Sequence, residues 1–236
     1  MKAFTGKVTK DEFIKEIKWH KEQDAFIKGT YTEGNKNNFR GCAVGCSIYS
    51  INKLLGTAYD YGEHIDMAET LQIPEWLVRL EDKIFEGLSE KDSKEWPLRF
   101  SEAINVGADL DKIKPAFLVY VLESMPKSPV SSKAVNRAIA LWKRDDLYSD
   151  AWKKESRAVY DTAANAAAYA ANATANAANA AADAAADAAD TADAAVYAAD
   201  AAVYAAAYAV CAGREREEIY KRFSDKLIEL IKNCES

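Results

Sequence analysis

Cys42 and Cys46 stand at C-x3-C spacing in the glycine-flanked segment GCAVGC, and His20 and His64 are the only histidines of the chain. A helix N-terminus favours a thiolate, so a helix starting here makes either cysteine a candidate nucleophile with a histidine as its base. Two thiols and two imidazoles are also the ligand set of a zinc site, although C-x3-C is less typical than C-x2-C. Asp24 lies four residues after His20, one turn further along a continuous helix, where a carboxylate orients an imidazole. The catalytic candidates are therefore Cys42, Cys46, His20, His64 and Asp24. The metal alternative uses Cys42, Cys46, His20 and His64 with zinc. Each has a plainer counterpart, in which the cysteines are small buried hydrophobes and His20 and Asp24 make a surface contact.

The segment ahead of that helix is rich in Gly and Asn, and it offers Lys36, Arg40, Gly41 and Gly45 as ligand-binding candidates, with backbone amides that would hold an anion. It lacks the G-K-[ST] ending of a phosphate-binding P-loop, and plain solvated turn residues are the simpler account of it. Glu81 and Asp82 are adjacent, which on a helix points them in different directions and suggests a solvated face.

The elements that must position these residues read as helices. Phe13, Ile14, Ile17, Phe26 and Ile27 suggest an amphipathic helix over residues 10–28. A short helix comes next over 46–55, then a loop over 56–70. The stripe Ile73, Trp76, Leu77, Leu80, Ile84, Phe85 and Leu88 gives a core helix with Pro74 in its first turn. Trp96-Pro97 opens a helix to about residue 104, Asp109 caps a further one, and FLVYVL continues it after Pro115. Residues 125–132 read as a turn, 133–143 as a helix, and Ser149 as the cap of a long final segment.

Alanine dominates that segment: 31 of the 52 residues from Asp161 to Ala212, with no Lys, Arg, Gly or Pro among them. Its Asn, Asp and Tyr residues, from Asn165 to Tyr208, recur with a mean step of about 3.6 residues, the pitch of a straight helix rather than of a coiled-coil heptad. The fold class expected is mainly α: a globular helical domain over 1–125, a linker and helix over 126–148, one very long alanine-rich helix over 149–212, and a short amphipathic helix over 213–236. A hairpin within the alanine tract is the rival arrangement. Alanine faces let helix backbones approach closely, so a second copy of the chain is an expected partner.

A sequence pI near 5.2 and a formal charge of −6 lack the basic footprint of a nucleic-acid binder. No leader-like or membrane-spanning apolar run is present, and four cysteines without such a leader suggest reduced thiols in a cytoplasmic protein.

Three blocks, FRGCAVGCSIYS (39–50), IPEWLVRLEDKIFEGL (73–88) and INVGADLDKIKPAFL (104–118), together resemble a family of uncharacterised accessory proteins encoded by tailed phages and prophages. The resemblance covers about half the chain. It implies a host-takeover or counter-defence protein of the host cytoplasm that binds or sequesters a host protein or a small signalling ligand. The alternative reading is a Cys/His hydrolase or nucleotide-ligand protein built on residues 20–64.

Overall fold

Thr9 starts the first helix through a reciprocal capping box: its hydroxyl accepts from the Glu12 amide while the Glu12 carboxylate accepts from the Thr9 amide. Helix α1 (Lys10–Glu22) then buries Phe13, Ile17 and His20. The computed structural model describes residues 1–35, 38–124, 129–157 and 214–235. Among these the chain is mainly helical, with two isolated bridges, Phe26 to Gly41 and Glu33 to Arg40, and no longer strand pairing. The alanine-rich tract Asp161–Ala212, together with Lys36, lies outside the described residues.

After α1 come α2 (Ala43–Leu55), α3 (His64–Leu71), α4 (Glu75–Gly87), α5 (Glu90–Ala103), a 3-10 turn (Leu110–Ile113), α6 (Lys114–Ser124), α7 (Pro129–Trp142) and, beyond the alanine tract, α8 (Arg214–Lys232). The chain divides into two units, Met1–Lys114 with Gly213–Ser236, and Pro115–Ala212. In the first, α1 packs on α2 and α5, α4 packs on α2, α3 and α5, and α8 lies against α4 and α5. The α8 stripe of Tyr220, Phe223, Leu227, Ile228 and Ile231 is buried there. Gly87 lets the Tyr220 ring approach so closely that a methyl group in its place would overlap the ring. In the second unit, Ser149 caps a helical stretch over 150–157 by accepting from the Trp152 amide. Trp152 packs edge-on against Trp142 at 4.9 Å and donates to the Leu141 carbonyl.

Several boundaries differ from the sequence expectation for physical reasons. The first helix ends at Glu22, because Asp24 takes a left-handed φ of 50°, and Phe26 and Ile27 continue as extended chain beside Gly41. The second helix starts at Ala43, with Cys42 itself as the N-cap. His64–Leu71 is a helix where the sequence suggests a loop. Helix α5 starts six residues before Trp96, at a Ser89 cap that accepts from the Asp92 amide, and Pro97 sits inside it. Asp109 makes no side-chain cap. Helix α7 starts at Pro129, inside the segment that reads as a turn.

Candidate functional site

Two extended backbone segments meet where α2 begins. The Gly41 amide donates to the Ala25 carbonyl, the Ile27 amide to Gly41, and the Cys42 amide to Thr30, so the loop of residues 25–31 is stitched to the first turn of α2. The Tyr31 carbonyl oxygen lies so close to Gly41 and Gly45 that a side chain at either would overlap it. That close approach explains the glycine spacing in GCAVGC. The Gly41, Cys42 and Gly45 amides, expected to hold an anion, donate instead to the Ala25 carbonyl, the Thr30 carbonyl and Cys42 Sγ. Arg40 is exposed and faces Asp24 instead, while Lys36 lies outside the described residues.

The two cysteines enter different surroundings. Cys42 Sγ accepts from the Gly45 amide at 3.4 Å, capping its own helix. Cys46, one turn on, points its thiol toward the carbonyls of Gly41 and Ala25, at 3.5 and 3.8 Å. Both are buried. Burial, followed for Cys42 by the nearby Asp82 carboxylate, drives both thiol pKa values upward. The helix N-terminus favours a thiolate, but desolvation and the acidic neighbour outweigh it, and both cysteines are held as thiols.

His20 is fully buried between α1 and α2. Ser50 donates its hydroxyl proton to the Cys46 carbonyl, so its oxygen accepts from His20 Nε2 at 3.1 Å. Nδ1 is then a lone-pair acceptor, and it has no partner. The rings of Trp19, Tyr49, Phe26 and Phe39 surround the imidazole at centroid distances of 4.9 to 6.2 Å. Burial, then the Lys53 charge, lower its pKa from 6.5 to about 4. Asp24 does not orient this ring. Past the end of α1 it is exposed and pairs with Lys94 at 2.7 Å, which lowers its pKa.

His64, the first residue of α3, reaches α4. Its Nε2 stands 3.2 Å from Asp82 Oδ2 and its Nδ1 3.0 Å from the Gly62 carbonyl. Both ring nitrogens thus face oxygen atoms, one on α4 and one two residues back in the chain. The Tyr31 ring stands edge-on to the imidazole at 5.9 Å.

Glu81 and Asp82, expected on a solvated face, are buried, and each has one carboxylate oxygen without a hydrogen-bond partner. Burial, then the Asp82 charge, push the Glu81 pKa well above its ordinary value, which favours the protonated carboxyl. One turn after Asp82, Glu86 accepts the Gly29 amide on both oxygens at 3.0 Å. The expected set of Cys42, Cys46, His20 and His64 does not assemble as a metal centre. Among the described residues, the group of three whose ligand atoms lie within 4.8 Å of one another is Cys42, Asp82 and Glu86.

The sequence carried a signal for the missed carboxylates. Glu81 is four residues after Leu77 and three before Ile84, which puts it on the apolar stripe rather than opposite it. Asp82 and Glu86 share the next face at i, i+4, toward the start of α2.

Compared with protein-family models, with curated proteins and with solved structures, the chain matches none of the three.

Proposed function

We propose that this chain is an accessory binding protein of the tailed-phage and prophage kind, one that blocks or sequesters a host protein or a small signalling ligand in the host cytoplasm. The observation that supports binding over covalent catalysis is the state of the two cysteines. Each is buried and held as a thiol, and His20, spent on Ser50, is not positioned as a base for either. A hydrolase built on residues 20–64 needs a thiolate with an imidazole beside it. The blocks 39–50 and 73–88, which carry the family resemblance, supply Cys42 and the Asp82–Glu86 face, and α2 packs on α4 between them. The described residues contain no helix long and apolar enough to cross a membrane. In this reading the alanine tract of 149–212 is one long helix that serves as spacer or as self-association surface.

The test is affinity capture with the tagged full chain expressed in host cells, followed by quantitative mass spectrometry. One host component retained in near-stoichiometric amount, and lost when an untagged chain competes, is the expected result. Turnover of ester, peptide or nucleotide substrates that stops when Cys42 is replaced, with no component retained, would overturn the proposal.

A further inference from the structure

We infer that Cys42, Asp82 and Glu86 form a binding site for one divalent cation of the zinc class, with His64 orienting Asp82. This inference rests on the geometry at the start of α2 and is independent of the host partner.

The ligand atoms of the three residues lie within 4.8 Å of one another, close enough for a small movement to bring all three to one ion. Asp82 and Glu86 are one turn apart on α4, where two carboxylates side by side repel unless a cation stands between them. A second observation points to a ligand independently. Asp82 is 7% exposed, and its Oδ1 has no hydrogen-bond partner, whereas Oδ2 is held by His64 at 3.2 Å. A buried carboxylate oxygen left without a donor is costly, and a metal ion satisfies it. Glu86 is held in place by the Gly29 amide, and Cys42 by the cap it makes on α2. The two sides of the site therefore belong to rigid elements, with the loop of residues 25–31 closing it.

The donor set selects the ion. A thiolate favours zinc and its borderline neighbours, while magnesium and calcium prefer oxygen alone. Binding breaks the Cys42 S–H bond and forms a sulfur–metal bond, with the proton released to buffer. Three protein ligands leave a fourth tetrahedral position for water or for a donor atom from a bound molecule. Tyr31, exposed and edge-on to His64, lies close to the three ligand residues.

The probe is Co²⁺ alone, titrated into chelator-treated full chain. One ion per chain, a near-ultraviolet sulfur-to-cobalt charge-transfer band, and displacement by equimolar Zn²⁺ are expected. Cys42→Ser should abolish the band, while Cys46→Ser and Cys234→Ser should keep it. Glu86→Gln alters a half-buried side chain that can still accept from Gly29, so it should remain folded by circular dichroism and bind at least about tenfold more weakly. Absence of the band in wild type, its survival in Cys42→Ser, or unweakened binding by folded Glu86→Gln would each overturn the inference. If Cys42→Ser does not fold, Glu86→Gln decides alone.

Discussion

His20 shows how a single buried group makes stability depend on pH. The unfolded chain takes up a proton at this residue as pH falls below 6.5, whereas the folded chain does so only near 4. The unfolded state therefore binds more protons between these values, and the fold loses stability as pH falls through that window, by about 3 kcal/mol at its lower end. Above pH 6.5 the residue contributes no slope. The groups facing the ring are Ser50, the Cys46 carbonyl and Lys53, itself paired with Glu16. Glu81, whose pKa is raised in the folded chain, pulls the opposite way as pH rises above 4.5, so comparison with a variant isolates His20. Denaturant midpoints at pH 7 and pH 4.5 should show His20→Gln losing clearly less stability on acidification than wild type; equal losses would refute the assignment. Gly45→Ala should lower the melting temperature by about 10 °C or prevent folding, since its methyl overlaps a backbone carbonyl that cannot swing aside as a side chain does. A melt within about 2 °C of wild type would mean that Tyr31 is held elsewhere. The sequence offered Cys42, Cys46, His20 and His64 by residue type alone. It did not show their partners, because Ser50, Asp82 and Glu86 reach them only through the packing of α2 against α1, α3 and α4.

At the scale of elements, the strongly periodic segments are readable in the sequence and the weakly marked ones are not. Helix α4 tracks its stripe closely, and α8 tracks Phe223, Leu227 and Ile231. Helix α5 begins earlier than its sequence suggests: a proline commonly opens a helix, whereas here Ser89 and Asp92 supply the cap. Pro97 is accommodated one turn before Ser101, whose hydroxyl donates to the Pro97 carbonyl. Helix α3 has only eight residues, too few for a convincing period. The first helix is shorter than its apolar spacing suggests because Phe26 and Ile27 continue that spacing by coincidence, past a left-handed Asp24. Because α8 belongs to the first unit, its apolar face stabilises α4 and α5. Leu227 is fully buried, so Leu227→Ala should cost about 2–5 kcal/mol in chemical denaturation. A loss below about 0.5 kcal/mol would mean that α8 does not hold that seat in solution.

At the scale of the whole molecule, the six aspartates of the alanine tract, with no basic residue beside them, account for the entire formal charge of −6. The remainder is balanced in charge, so its net charge exerts no long-range attraction. Deleting Asp161–Ala212 and joining the flanks by a flexible linker should leave residues 1–145 folded, because the large buried side chains of the first unit come from outside the tract. Circular dichroism of that variant checks this, and an unfolded spectrum would contradict it. The tract as one long helix predicts, by size-exclusion with light scattering, a hydrodynamic radius well above that of a compact sphere of 26.0 kDa or its dimer; a compact monomer contradicts both spacer and self-association. The central claim, that this chain binds rather than attacks, rests on the protonated, buried state of its N-terminal thiols. Its most direct test is iodoacetamide labelling of the chelator-treated full chain at pH 7, mapped by peptide mass spectrometry before and after denaturation. Cys42 and Cys46 should label only once the chain is unfolded, whereas rapid labelling of Cys42 in the native chain would contradict the account.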